Sequence, residues 1–189
     1  MSESHANGEL GGLLEELKAV ADDAQKVFGG LTPAQLNWKP SAEQWSVGQC
    51  FEHLIKTNRA LFPTLEAAAR GERRSGLWER VSPLSGFFGR LVLRSLASKR
   101  KFPAPSALKP STSDLDAEVI EQFIGHQGEL TGLVRANEGT DLKGTIITSA
   151  ISPFVTYSML DACRITIAHE RRHFAQARRV TETEGFPNS

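Results

Sequence analysis

Apolar residues recur at steps of three and four along four long stretches of the chain, and segments rich in glycine and proline separate these stretches. Such a period is that of an amphipathic helix, which buries one stripe of its side chains. The first stretch runs from Glu9 to Phe28 and stops at Gly29-Gly30, whereas residues 1–8 are small and polar. We therefore predict a disordered tail over residues 1–8, followed by the first helix.

The second stretch follows the segment "LTPAQLNWKPSAEQWSVGQ" at residues 31–49, whose prolines and tryptophans indicate a short turn and an extended loop. Ser46 is the predicted N-cap of the helix that comes next, since a serine oxygen can accept a hydrogen bond from a free backbone N–H. The apolar pattern continues to about Gly71. Pro63 lies inside the pattern, and we expect it to kink or divide the helix.

Residues 71–112 form a long crossover with one short apolar segment, "LSGFFGRLVLRSLAS", which predicts a short helix between loops. A third long helix is predicted from Asp114 to Ala136, with Ser113 as its cap. A fourth is predicted from Tyr157 to Thr183. Before it, "TIITSAISPFVTYS" is β-branched but alternates weakly and contains Pro153, so we interpret it as an extended loop.

Four long helices, one short helix and no convincing strand pair predict an all-α protein. Four amphipathic helices bury their stripes most simply as a four-helix bundle, here with a long crossover between the second and third helices that carries the short extra helix. At 189 residues the chain is long enough for one domain, which we place at residues 9–186.

Composition and charge narrow the class of partner. Lysine plus arginine and aspartate plus glutamate each number 22, so the formal net charge is zero and gives no general case for nucleic acid. Basic residues nevertheless crowd the middle of the chain, and we interpret this run as a solvated helix face or linker. Its members are Arg70, Arg73, Arg74, Arg80, Arg90, Arg94, Lys99, Arg100 and Lys101.

The two cysteines, Cys50 and Cys163, lie far apart and match no metal or redox spacing, so we expect two small buried residues in a reducing compartment. The sequence shows no signal-peptide pattern and no apolar run of about 20 residues. These features predict a cytoplasmic protein with no membrane partner.

Five histidines are present, and two of them form the pattern H-E-x-x-H at His169 and His173. Residues four apart lie on one helix face, where two imidazoles can converge on one ion. The pattern is typical of zinc proteases. The long protease form, however, would place its third histidine where Arg179 stands, and the glutamates that follow are too near to act as a distant third ligand. A third ligand is therefore sought on another predicted helix, at His53 or His126.

The segments "LNWKPSAEQWSVGQCFEHL" (residues 36–54) and "IAHERRHFAQ" (residues 167–176) together resemble the DinB/YfiT-like superfamily. The segment "ISPFVTYSMLDACRIT" (residues 151–166) is similar to that family's entry into its last helix. The resemblance implies a four-helix bundle that holds a divalent metal ion through His53, His169 and His173. Nickel, zinc or iron suits such a ligand set, which does not choose among them.

What the resemblance implies for function is a metal-dependent enzyme that acts on a small molecule, since relatives include thiol S-transferases and a thiol-dependent isomerase. A three-histidine site with open positions activates a bound water or thiol, so a transferase or a hydrolase is expected, with a low-molecular-weight thiol as a further cofactor. The alternative is a non-catalytic stress-response or small-molecule-binding bundle with a vestigial metal site. Nucleic acid is not an expected partner, and a homodimer is an expectation because helix bundles with an exposed apolar stripe often pair.

Several further residues have expected roles around this site, while catalytic residues beyond the metal ligands are not identifiable. Glu170 lies about 100° around the helix from His169 and is expected to point away from the ligand face. Trp38 and Trp45 are expected to pack in the core or in a lid. Outer hydrogen-bond partners of the ligands are expected among Gln49, His126 and Gln176.

Overall fold

The computed structural model of the chain describes residues 2–82, 84–98, 106–111, 114–150 and 152–188. The described residues are mostly helical, with one small two-stranded sheet. The helices are α1 (Ser2–Phe28), α2 (Pro33–Asn37), α3 (Val47–Arg59), α4 (Phe62–Ala69), α5 (Leu77–Val81), α6 (Ser85–Ala97), a 3-10 turn (Ser106–Leu108), α7 (Val119–Ala136) and α8 (Met159–Thr181). The strands are β1 (Ile146–Ser149) and β2 (Ser152–Ser158). Within the described part of the chain, no helix is both long and apolar enough to cross a membrane.

The four long helices α1, α3, α7 and α8 pack in neighbouring pairs: α1 on α7, α7 on α3, α3 on α8 and α8 on α1. Their predicted apolar stripes form the core. One phenylalanine from each of α1, α3 and α7 is fully buried: Phe28, Phe51 and Phe123, and Phe51 contacts the other two edge-to-face. The existence of the four helices is therefore confirmed, although several of their ends differ from the prediction.

Two helix starts were predicted wrongly. α1 begins at Ser2, so residues 2–8 continue the helix where the sequence predicts a disordered tail. α7 begins at Val119, five residues after the predicted start. The delay has a tertiary cause: the Asn37 side chain donates to the carbonyl of Leu115 (3.0 Å) and accepts from its N–H (2.7 Å), which holds the segment before α7 against α2. The predicted cap, Ser113, lies outside the described residues.

The start of α3 is as predicted. Ser46 is its N-cap, with its hydroxyl accepting from the N–H of Gln49 (3.1 Å) and its own N–H donating to the Gln49 side chain (3.2 Å). Pro63 divides the second apolar stretch, since α3 ends at Arg59 and the proline stands in the first turn of α4. The loop predicted before α3 contains one regular element, the five-residue α2, which Thr32 and Gln35 cap in the same reciprocal way.

The prediction of an all-α protein was wrong at residues 146–158, where β1 and β2 form an antiparallel hairpin. Pro153 and the weak alternation argued against a strand. In the structure the pairing shifts between Thr148 and Ser149, so that Thr148 faces Thr156 and Ser149 faces Ser152. Pro153 stands in the stretch of β2 that this irregularity leaves without ladder partners, where its missing N–H costs nothing.

The crossover contains more structure than the single predicted short helix. α5 is fixed to the hairpin because the N–H of Thr148 donates to Glu79 (2.8 Å) and Ser82 hydrogen-bonds Thr156 (2.6 Å). α6 packs on α8 and β2. It approaches α8 closely at Gly89, where any Cβ would meet the Asp161 carboxylate at 2.5 Å.

Both cysteines are buried and free, as predicted. Burial in apolar surroundings raises the pKa of each thiol to about 12. Cys50 and Cys163 therefore remain protonated near neutral pH and serve as core residues.

Glu170 is a fully buried carboxyl group that joins three of the long helices. Its Oε1 accepts from Asn58 of α3 (2.6 Å) and from Gln127 of α7. Burial raises its pKa to about 7, against the opposing effect of these two hydrogen bonds. Within the described part of the chain, Oε2 of Glu170 and Oε1 of Gln127 have no donor. A proton on Oε2 of Glu170 removes the need for an external donor at that buried oxygen.

We predict that Ser46→Ala lowers the free energy of unfolding by about 1 kcal/mol, because the first turn of α3 loses its buried cap. Urea denaturation followed by circular dichroism measures the change. Ser85→Ala is the matched control, since Ser85 also stands at a helix start but makes no cap hydrogen bond. Equal losses in the two variants would contradict the assignment of the cap.

A second prediction concerns pH. The folded pKa of Glu170, about 7, lies above the unfolded value of 4.5, so the folded state keeps a proton that the unfolded state releases. The stabilising contribution is complete below pH 4.5 and is lost as pH rises through 7. Relative to Glu170→Gln, which stays neutral, the wild type should lose about 3 kcal/mol of unfolding free energy across this range.

The quantity to measure is the difference in unfolding free energy between the wild type and Glu170→Gln, by urea denaturation at several pH values. The difference is needed because the buried histidines titrate in both proteins. Glu121→Gln, at an exposed position of α7, should leave the pH dependence of the wild type unchanged. Parallel stability curves for Glu170→Gln and the wild type would refute a protonated Glu170.

Candidate metal centre

Three histidines from two helices meet at one point. His53 comes from α3, and His169 and His173 come from successive turns of α8, which packs beside α3. One ring nitrogen from each lies within 4.8 Å of the others. His53 and His173 are buried and His169 is half-buried, so the cluster reaches the surface on the His169 side. These are the three residues that the family resemblance implies as ligands.

The spacing of the nitrogens suits a single small ion. The Nε2 atoms of His53 and His169 are 3.3 Å apart. Two imidazole nitrogens bound at about 2.0–2.1 Å to one tetrahedral ion are themselves separated by about 3.3 Å. The three ring centroids lie 4.6 to 5.1 Å apart with their planes steeply inclined, so the rings converge edge-on instead of stacking.

A backbone carbonyl fixes the orientation of His53. Its Nδ1 lies 2.6 Å from the carbonyl oxygen of Leu108, in the 3-10 turn of the crossover. Because a carbonyl only accepts, Nδ1 carries the proton, and the lone pair of Nε2 is left facing the other two histidines. Metal-binding histidines are commonly held in this way, which makes the crossover part of the site.

All three histidines are neutral at physiological pH. Burial is the largest cause of the lowered pKa of each. The His53 imidazole and the Arg172 guanidinium lower the pKa of His169 further, to about 3. Neutral imidazole is the form that binds metal, so the low pKa values keep the lone pairs available.

Trp45 forms one wall of the cluster. Its ring stacks on His173 with a centroid distance of 5.6 Å and contacts His53 at 4.9 Å. The sequence predicted that Trp45 packs in the core or in a lid, but it did not predict contact with His53 and His173. Its position directly before the helix that carries His53 is the sequence signal for this role. Trp38 instead packs edge-to-face on Phe186, away from the cluster.

The three expected outer partners lie in different places. Gln176 lies beside His173 and partly opposes the lowering of its pKa. The Gln49 side chain caps α3 and donates to the carbonyl of Ser111 (2.7 Å), so these hydrogen bonds fix the helix start and the crossover and not an imidazole ring. His126 stacks on Phe62 at 4.9 Å, outside the cluster, and burial lowers its pKa to about 4.

The other residues of the "HERRH" segment form their hydrogen bonds with other elements of the fold. Glu170 is directed into the core, as the helical spacing predicts, although its full burial was not predicted. Arg171 pairs with Asp23 of α1 at 2.5 Å. Arg172 donates to the carbonyl oxygens of Leu96 (2.8 Å) and Ser98, at the end of α6.

Comparisons with known proteins identify the family of the chain. The chain is similar to an uncharacterized protein, YuaE, of Bacillus subtilis (strain 168), with 25% identity over 154 residues that cover 81% of this chain and 87% of the relative. No solved structure matches this chain. The model of the DinB superfamily matches residues 16–177, which include all three clustered histidines. The chain therefore belongs to the DinB superfamily.

Proposed function

We propose that this protein is a divalent-metal-dependent enzyme that acts on a small molecule, as a thiol S-transferase or a hydrolase. The observation that carries the proposal is the convergence of three neutral imidazole nitrogens within 4.8 Å, with His169 only partly buried. Three histidines leave coordination positions for a further ligand, as in catalytic sites and unlike closed structural ones.

A divalent ion held there would supply acidity, lowering the pKa of a bound water or thiol toward neutrality. The residues of the chain prepare the site for this chemistry. The Leu108 carbonyl keeps the His53 proton on Nδ1, and Trp45 covers the cluster on its His173 side and excludes water there. Arg172 places a positive charge near the site, which favours an anionic ligand such as a thiolate.

A non-catalytic binding protein is the second candidate function. It is favoured by the burial of His53 and His173 and by the indole ring stacked on His173, which together restrict access to the nitrogens. In that case the three histidines would hold an ion without turnover, and the site would be vestigial or would serve small-molecule binding.

We also propose that α1, α3, α7 and α8 form the four-helix bundle that the family resemblance implies, with residues 9–186 as one domain. The support is the closed cycle of pairwise packing among these four helices. In this arrangement the histidines lie between α3 and α8, and the crossover covers one side of them through Leu108.

We predict that the purified protein, without a histidine tag, binds one divalent ion per chain, and that His53→Ala, His169→Ala and His173→Ala each weaken binding more than about 100-fold. Loss of an outer partner alone typically costs about 10–100-fold in affinity, so the loss of a ligand should cost more. Titration of the metal-free protein with Zn²⁺ or Ni²⁺, followed by calorimetry and elemental analysis, measures the stoichiometry and affinity.

His126→Phe is the matched control for these variants, because His126 is equally buried, lies outside the cluster and can be replaced by a ring that still stacks on Phe62. It should retain full metal affinity. Metal binding that survives in all three cluster variants would refute the site.

A further prediction separates the thiol-dependent activity from the alternatives. A low-molecular-weight thiol added to the Co²⁺-loaded protein should produce a sulfur-to-cobalt charge-transfer band, because a thiolate can occupy an open position. The S-methylated compound, which cannot form a thiolate, is the control. A band without turnover of any electrophile would favour the binding protein, and hydrolysis without a band would favour a water-dependent hydrolase.

A further inference from the structure

An apolar patch is exposed on the crossover and the hairpin. Within the described residues, large exposed hydrophobic side chains concentrate here, with Leu77 exposed to 81% and Phe154 to 76%. The members of this patch are Leu77, Trp78, Val81, Leu84, Phe87, Leu91 and Phe154. They lie on α5, α6 and β2, with Leu84 directly before α6. These elements are held together because α5 is hydrogen-bonded to the hairpin and α6 packs on β2. Seven large apolar side chains exposed on adjoining elements indicate a binding surface.

α6 presents two kinds of side chain on its exposed face. At 100° per residue, Phe87, Leu91, Arg94 and Arg90 fall within an arc of about 100°. All four are exposed, whereas Gly89 on the opposite side is buried against α8. The apolar stripe is therefore bordered along one edge by arginines.

The charge on this surface is positive and uncompensated. Arg74, Arg80, Arg90 and Arg94 are exposed and form no ion pair within the described part of the chain. Both acidic residues within positions 71–98 already form ion pairs: Glu72 with Arg70 and Glu79 with Arg73, each at 2.7 Å. A chain with zero net charge thus carries a local excess of positive charge beside its apolar patch.

We propose that this surface of α5, α6 and β2 docks on anionic lipid membranes. Aromatic and aliphatic side chains bordered by arginines are the composition of helices that lie in the interface of a bilayer, with the apolar face below the headgroups and the cations beside the phosphates. The contact is peripheral and requires no spanning segment. It was not predicted from the sequence, which suggested a solvated face or linker and no membrane partner.

A second copy of the chain fits this surface less well. Self-association through one shared patch would bring the unpaired arginines of both copies together, and no acidic side chain of α5 or α6 is free to compensate them. Like charges placed opposite each other oppose association. An anionic bilayer satisfies the apolar and the charged parts of the surface at once.

The test is co-sedimentation of the full-length protein with vesicles at low ionic strength. We expect binding to phosphatidylcholine vesicles that contain phosphatidylglycerol, little binding to pure phosphatidylcholine, and release by salt. Arg90→Gln/Arg94→Gln should weaken binding about 25-fold, since each basic residue near such a surface contributes about fivefold. Lys18→Gln/Lys26→Gln, at exposed positions of α1, is the matched control and should bind as the wild type does.

The apolar part is tested separately. Phe87→Ser/Leu91→Ser should weaken vesicle binding by roughly tenfold or more, whereas Val27→Ser, at an exposed apolar position of α1, should leave it unchanged. Leu77→Ser is a third variant. Leu77 is the most exposed member of the patch, so its replacement is the least expected to affect folding. Thermal unfolding of each variant establishes that the fold is intact.

Two results would overturn the proposal. One is a failure of the charge test: the folded wild type does not bind anionic vesicles, or it binds neutral vesicles equally well, or Arg90→Gln/Arg94→Gln binds as tightly as the wild type. The other is a dimer in analytical ultracentrifugation that Phe87→Ser/Leu91→Ser dissociates, which would assign the patch to a second copy of the chain.

Discussion

The packing of α3 against α8 is the contact on which the rest of the site depends. Two polar interactions lie along it: the approach of His53 to His169 at 3.3 Å and the hydrogen bond from Asn58 to Glu170 at 2.6 Å. Asn58 follows His53 by five residues and Glu170 follows His169 by one, so the two interactions are neighbours along the same interface. A buried amide–carboxyl bond has a narrow range of geometry, and it therefore fixes the register that brings the imidazoles together.

This arrangement costs stability. Three imidazoles are held with their ring nitrogens close together, and a carboxyl group is removed from water. Burying polar groups without full partners costs free energy, and the nitrogen Nδ1 of His173 has no hydrogen-bond partner within the described residues. A core that served only stability would not contain these three imidazoles and this carboxyl group. Local departures from the rules of core packing are typical of functional positions, which supports the proposed metal-binding role of these residues.

The sequence predicted the long helices well because their apolar period and their punctuation are local signals. Ser46 and Pro63 act within a few residues of their own positions, and both were interpreted correctly. The errors arise where distant residues decide. Asn37 holds the residues before α7 out of the helix, and the irregular pairing of β1 with β2 accommodates Pro153. The three histidines were predicted as ligands from the spacing of two of them and from the family resemblance, and the structure brings them together, whereas the position of Trp45 and the burial of Glu170 required knowledge of which helices become neighbours.

The segment His169–His173 shows how one helical pattern takes its meaning from its surroundings. His169 and His173 face α3 and its histidine, while Glu170 faces the amides of α3 and α7. Arg171 reaches α1, and Arg172 holds the end of α6. In a zinc protease the glutamate of the same pattern lies at the metal as a base. Here it is enclosed by packed helices and ties them together, so the five residues connect α8 to every long helix and to the crossover helix that carries the exposed apolar patch.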